Sequence, residues 1–140
     1  MTALTDAVKD QIQTAYRTWL AARDFKPRSG QRQMIAQIAR SLSAKSDRVA
    51  VVEAGTGTGK TAAYCLAAIP VAQSLNKTIV LSTATVALQE QVILQDLPDI
   101  QQRAGLKFSL TLAKGRGRYC LLYTSPSPRD MRRSRMPSSA

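Results

Sequence analysis

The run Glu53-Ala54-Gly55-Thr56-Gly57-Thr58-Gly59-Lys60-Thr61 restricts the possible folds of this chain more than any other segment. It follows Arg48-Val49-Ala50-Val51-Val52, which reads as a buried strand, and leads into Ala62-Ala63-Tyr64-Cys65-Leu66-Ala67-Ala68-Ile69, which reads as a helix. A strand, a glycine turn and a helix in that order form the setting in which such a turn holds phosphate. The glycines let the backbone adopt positive φ and turn its N–H groups inward, while the start of the helix adds partial positive charge. Lys60 then reaches the β- and γ-phosphates of a nucleoside triphosphate, and the Thr61 hydroxyl ligates magnesium. Ala54 occupies the place where a first glycine is usual, so the motif is a variant. The alternative is a flexible Gly/Thr loop between two core elements.

Composition adds bounds. A chain of 140 residues with 44% hydrophobic content is the size of one domain and can build a core. It has no apolar run of membrane-spanning length and no signal-peptide pattern at the N-terminus, so the expected site of action is the cytoplasm, without a membrane partner. Cys65 and Cys120 are not spaced as a disulfide or metal framework, and Cys65 reads as a core residue. The net charge of +11 points to a polyanionic partner or to an ordinary solvated basic surface. Residues 1–119 hold 16 Lys and Arg against 8 Asp and Glu, and the last 21 residues hold four arginines against one aspartate.

Leu4, Val8, Ile12, Tyr16, Trp19 and Leu20 recur at helical spacing and predict a helix over Thr5 to Ala22, broken near Pro27. Met34, Ile35, Ile38 and Leu42 mark a second helix ending near Ser43. Beyond the glycine turn, Lys77 to Thr83 and Lys107 to Leu112 read as strands. Val86, Leu88, Val92, Ile93 and Leu97 predict a helix between them, stopped by Pro98. Alternating strands and helices predict an α/β fold with a parallel sheet, flanking helices and a ligand beyond the strands' carboxyl ends.

Two further segments narrow the chemistry. Phe25-x-Pro27-Arg28-x-x-Gln31-x-x-Met34 precedes the phosphate loop, and a glutamine amide, which donates and accepts at once, suits the edge of adenine. Ser82-Thr83-Ala84-Thr85-Val86-Ala87-Leu88-Gln89 brings hydroxyls to a helix start, where they can hold a nucleic-acid phosphate without reading sequence. Taken singly, Gln31 could be an ordinary helix residue, and Thr83, Thr85 and Gln89 part of a capped helix. The Arg-x-x-Gln-x-x-Met element followed by Glu-Ala-Gly-Thr-Gly-Thr-Gly-Lys-Thr resembles superfamily 2 helicases of the XPD type, and specifically the bacterial DinG family. Lys114-Gly115-Arg116-Gly117-Arg118-Tyr119 is similar to the family segment that leads to the first cysteine of a 4Fe-4S cluster. Family members place one more residue before that cysteine, whereas Cys120 follows Tyr119 directly, so Cys120 is not expected to be a ligand.

From Cys120 onward the likeness stops. Cys120 to Asp130 reads as the in-frame translation of a transposase-type sequencing adapter, and Ser134 to Ala140 as its continuation across an index at Met131, Arg132 and Arg133. The expectation is a native segment of residues 1–119 and a foreign, disordered tail of residues 120–140.

The resemblance implies a partial RecA-like motor domain behind an N-terminal helix. It further implies a full-length enzyme that couples ATP hydrolysis to 5'-to-3' movement on single-stranded, forked or branched DNA, with ATP, magnesium and a 4Fe-4S cluster as cofactors. Nucleotide contacts then fall to Arg28, Gln31 and residues Ala54, Gly55, Thr56, Gly57, Thr58, Gly59, Lys60 and Thr61, with catalysis at Lys60 and Thr61 and DNA contacts at Thr83, Thr85 and Gln89. No Asp-Glu-Ala-His motif follows the loop in this sequence, so the chain alone is expected to bind nucleotide without turnover. Two rival readings stand: a different P-loop NTPase such as a small kinase, and a non-catalytic nucleotide or nucleic-acid binding module.

Overall fold

The computed structural model describes residues 4–46 and 48–114. The chain divides into two units, Met1–Leu110 and Thr111–Ala140. Of the second, only residues 111–114 are described, and they form neither helix nor strand. The basic segment from Gly115, the cysteine at 120 and the tail expected after it lie outside the described residues.

The first unit is built of helices. Helix α1, Asp6–Ala22, buries Val8, Ile12, Ala15, Tyr16, Trp19 and Leu20 on one face, as the three- and four-residue spacing dictates. It ends in a left-handed residue, Asp24 with φ 52°, which lets the Phe25 N–H reach the Leu20 carbonyl at 3.0 Å and the Asp24 N–H reach that of Ala21 at 3.3 Å. Helix α2, Ser29–Ser43, starts two residues after Pro27 and turns Gln31, Ile35, Ala39 and Ser41 inward.

Helix α3, Lys60–Ser74, is the centre of the unit. It buries nine residues on all its faces, and α1, α2, a later π-helical turn and the last helix pack around it. A helix apolar all round survives only with neighbours on every side. Leu66 and Ala63 are fully enclosed, and Leu66→Ala would cost about 2–5 kcal/mol through lost contacts and the cavity left behind. Pro70 lies inside α3, where its ring fills the core and the Leu66 carbonyl loses its usual intrahelical donor. The helix ends as α1 does, at a left-handed Asn76 with φ 50° and a Lys77 N–H on the Ala72 carbonyl at 2.8 Å.

Helix α4, Val86–Gln91, runs through a π-helical turn, Val92–Asp96, into α5, Leu97–Arg103. The expected stop at Pro98 therefore does not occur. The wider π turn, closed by the Leu97 N–H on the Val92 carbonyl, ends just before the proline, and the helix continues through it.

The expected parallel sheet is not formed, and the α/β reading is corrected to a helical unit: no strand occurs among the described residues. The runs read as strands over 48–52, 77–83 and 107–112 make no backbone ladder with one another. Val49, Val51 and Val80 are more than 80% exposed, the opposite of a strand covered on both faces. The physical reason is that a helix satisfies its backbone within its own segment, whereas a strand exists only against a partner. Apolar, β-branched composition marks a segment that tolerates a sheet without supplying that partner.

Candidate nucleotide site

The loop of residues 53–59 emerges from the exposed run at Val51 and closes on the first turn of α3. Its curvature comes from two left-handed glycines, Gly57 with φ 74° and Gly59 with φ 73°. Gly55 and Gly57 have open space where a Cβ would stand, so their backbones can be approached closely. Thr58 Oγ1 donates to the Gly55 carbonyl at 2.8 Å and draws the loop into a ring, while Thr56 is exposed at its tip. Lys60 Nζ turns back over that ring and donates to the carbonyls of Ala54 at 2.7 Å and Gly55 at 3.0 Å. Its ammonium is thus held against the loop's own carbonyls at the start of α3.

Helix α2 supports this loop from behind. Arg28, the N-cap residue of α2, donates from Nη1 to the Gly57 carbonyl at 2.8 Å. Gln31, three residues on and buried, donates from Nε2 to the Gly59 carbonyl at 3.2 Å, and that same carbonyl accepts the Ala63 N–H at 3.0 Å. Tyr16 of α1 completes the chain, its hydroxyl donating to Gln31 Oε1 at 2.9 Å. A cleft of about 620 Å³ opens between the start of α2 and residues 51–55, with Arg28, Gln31, Met34 and Thr58 in its wall. The structure therefore brings Arg28, Gln31 and the loop from Ala54 to Lys60 into one place.

Thr61 is half-buried on the first turn of α3, close to Tyr64 and to Asp96 of the π turn. Burial raises the Asp96 carboxyl above its ordinary 3.8, an effect opposed by Arg23, added to by Asp99 and opposed in smaller part by Gln91 and Thr61. Asp96 Oδ2 is buried with no hydrogen-bond partner. Arg23, Gln91 and Thr61 thus favour the charged form without donating to that oxygen. A hydroxyl and an orphaned carboxylate oxygen are hard donors of the kind magnesium takes, so the residues present fit that ion. Asp96 escapes sequence reasoning because no fixed spacing ties it to the loop. Tyr16 escapes it because it sits in an apolar stripe; the one signal is that a buried tyrosine hydroxyl needs a partner.

The nucleic-acid candidates form a separate small group. Thr85 caps α4, accepting the Leu88 N–H on Oγ1 at 3.2 Å, and Thr83 Oγ1 donates to the Thr85 carbonyl at 3.2 Å. Gln89 follows one turn later, half-buried. Among the described residues neither threonine hydroxyl bonds to the phosphate loop. Among the same residues no three His, Cys, Asp or Glu side chains gather as a metal centre. Burial, with Asp96 nearby, pushes the Cys65 thiol up to about 12, which does not suit a cluster ligand. No helix among the described residues is long and apolar enough to cross a membrane.

The DEAD/DEAH box helicase family matches residues 28–120, from Arg28 through the loop and beyond. The chain is 43% identical over 138 residues to the ATP-dependent DNA helicase DinG of Escherichia coli K12, covering 92% of this chain and 19% of that protein. It is 46% identical over 119 residues to DinG of Salmonella typhimurium, covering 84% and 16%, and 45% identical over 121 residues to DinG of Photobacterium profundum, covering 84% and 18%. It thus spans less than a fifth of the length of these relatives. With the matched region running through Arg28, Gln31 and the Lys60-Thr61 loop, the chain belongs to the DEAD/DEAH box helicase family.

Proposed function

We propose that this chain carries the ATP grip of a DinG-like, ATP-dependent DNA helicase, and that the whole enzyme couples ATP hydrolysis to movement along single-stranded DNA. The observation that carries the reading is the Lys60 ammonium held over the glycine ring by the Ala54 and Gly55 carbonyls. A triphosphate entering there exchanges two neutral acceptors for charged oxygens, which bind an ammonium more strongly. Ala54 to Gly59 present backbone N–H groups to the phosphates, and Lys60 offsets their charge. Magnesium, when bound, withdraws electron density from the phosphate oxygens; Thr61 would hold it, with Asp96 beside that hydroxyl. Arg28 and Gln31 orient the loop from α2, and Thr83, Thr85 and Gln89 hold the DNA backbone without reading bases.

Phosphoryl transfer of this type depends on positioning and charge rather than on covalent chemistry in the protein. The residues of this chain supply positioning and part of the charge, so the proposal for the 140-residue chain alone is nucleotide binding with negligible turnover. The 5'-to-3' direction, action on forked or branched DNA in the cytoplasm and a 4Fe-4S cluster are proposed for the whole enzyme on the strength of the resemblance. No described residue fits the cluster.

The test is titration of a non-hydrolysable ATP analogue with magnesium into the wild-type chain and Lys60→Ala. Removing one partner of a desolvated charge pair costs about 2–5 kcal/mol, so the affinity should fall at least thirtyfold, roughly. Equal affinities for the two proteins would defeat the reading, as would DNA-stimulated turnover by this chain for the binding-only part of it.

A further inference from the structure

The Gly55 carbonyl is shared by two side chains of its own loop. Thr58 Oγ1 donates to it at 2.8 Å and Lys60 Nζ at 3.0 Å, so both of its lone pairs are used. Lys60 reaches the Ala54 carbonyl as well, at 2.7 Å. The ammonium is therefore ringed by carbonyl oxygens, and an anion brought to it there meets their negative ends. Among the described residues the N–H groups of Ala54 to Gly59 donate to no backbone carbonyl. The loop thus holds the donors a triphosphate needs, yet it closes over its own lysine.

Movement of the Gly55 carbonyl is what would open it. The far side of the loop is anchored to α2, where Arg28 donates to the Gly57 carbonyl at 2.8 Å. Gly55 has nothing within 4 Å of where a Cβ would stand, so the backbone there has room to swing. Lys60 finds acceptors in either arrangement, carbonyls in one and phosphate oxygens in the other. The bond from Thr58 belongs to the closed arrangement alone.

We propose that Thr58 is a positioning residue that works against binding: its hydroxyl latches the Gly55 carbonyl over Lys60, and the latch opens before a triphosphate is gripped. The proposal rests on the reading of the loop as a triphosphate grip and adds a control on access to it. A ligand that takes only the open form binds with an apparent affinity scaled by that form's share of the population. Removing a bond that stabilises only the closed form raises that share. Loss of this polar side chain from the loop therefore strengthens binding.

The experiment is stopped-flow fluorescence with ATP labelled on its ribose, with magnesium, on the full chain, which yields association and dissociation rates. Thr58→Val, which keeps the branched shape, should tighten binding by about twofold to fivefold, the lower end of one net hydrogen bond. The gain should lie in faster association with dissociation unchanged, because the latch acts only before the ligand is held. Thr58→Ala should do the same, and Thr58→Ser, which restores a hydroxyl, should cancel the gain. Weaker binding by Thr58→Val would make the hydroxyl a phosphate ligand, and that result overturns the proposal. So does an unchanged affinity, a gain that persists in Thr58→Ser, or a gain that comes from slower dissociation, which would mean a reshaped cradle rather than an opened one. A wild-type chain that does not bind the labelled ATP defeats the triphosphate reading itself, whereas binding without the gain defeats the latch alone.

Discussion

Cys65 lies one turn beyond the Lys60-Thr61 pair, 2% exposed, and its thiol is neutral at any ordinary pH because burial pushes its pKa from 9.0 up to about 12. A raised folded-state value contributes stability that is fully present below the unfolded pKa and is lost as pH rises through the folded one. The window for this residue is therefore pH 9 to about 12. Cys65→Val, which fills nearly the same space with no ionisable atom, should flatten the fall in stability across that window, as followed by urea unfolding at successive pH values. An unchanged alkaline slope would show that the thiol does not titrate against burial. At this same scale Arg28, Gln31 and Lys60 were legible as candidates because each belongs to a motif of fixed residue spacing, although Arg28 and Gln31 reach the loop across 29 and 28 residues of chain. Tyr16 and Asp96 were not, since each reaches the site from a distant part of the chain, and only the packing of α1 and the π turn on α3 brings them there.

The helices follow from local rules, and their ends show where those rules are strained. Both α1 and α3 close on left-handed residues that carry side chains, Asp24 and Asn76. Asparagine tolerates that conformation; aspartate at a helix C-terminus also sets a negative charge against the helix dipole. Asp24→Gly should accordingly raise stability by about 0.5–1 kcal/mol, seen as a higher melting temperature with nucleotide binding unchanged. A lower melting temperature would mean that the Asp24 side chain makes a contact worth more than the strain. The spacing in the sequence placed both ends of α1 and the end of α2 within a residue, because a helix is set by its own side chains and caps. It misplaced the stop at Pro98, where a π turn absorbs the proline, and it promised strands from runs whose fate depends on segments elsewhere in the chain.

At the scale of the whole unit, α1 and α5 are clasped around α3 by Asp99. Its Oδ2 accepts the buried Trp19 indole N–H at 2.8 Å and lies 3.4 Å from Arg23, while its Oδ1 lies 3.0 Å from Arg103. Arg23 in turn lies over the rings of Trp19 and Phe25, each 5.4 Å from the ring centre. Asp99→Ala leaves the indole N–H buried without a partner, and the expected loss is about 1–3 kcal/mol in urea unfolding. A change below a few tenths of a kcal/mol would show that water or a shifted side chain takes its place. The bond from Trp19 spans a sequence separation of 80 residues. On a ribosome, the helix that bears Tyr16 is therefore made long before the carboxylate that locks it against α3. The phosphate loop emerges midway between them, so its supporting tyrosine is secured only once synthesis has passed position 99.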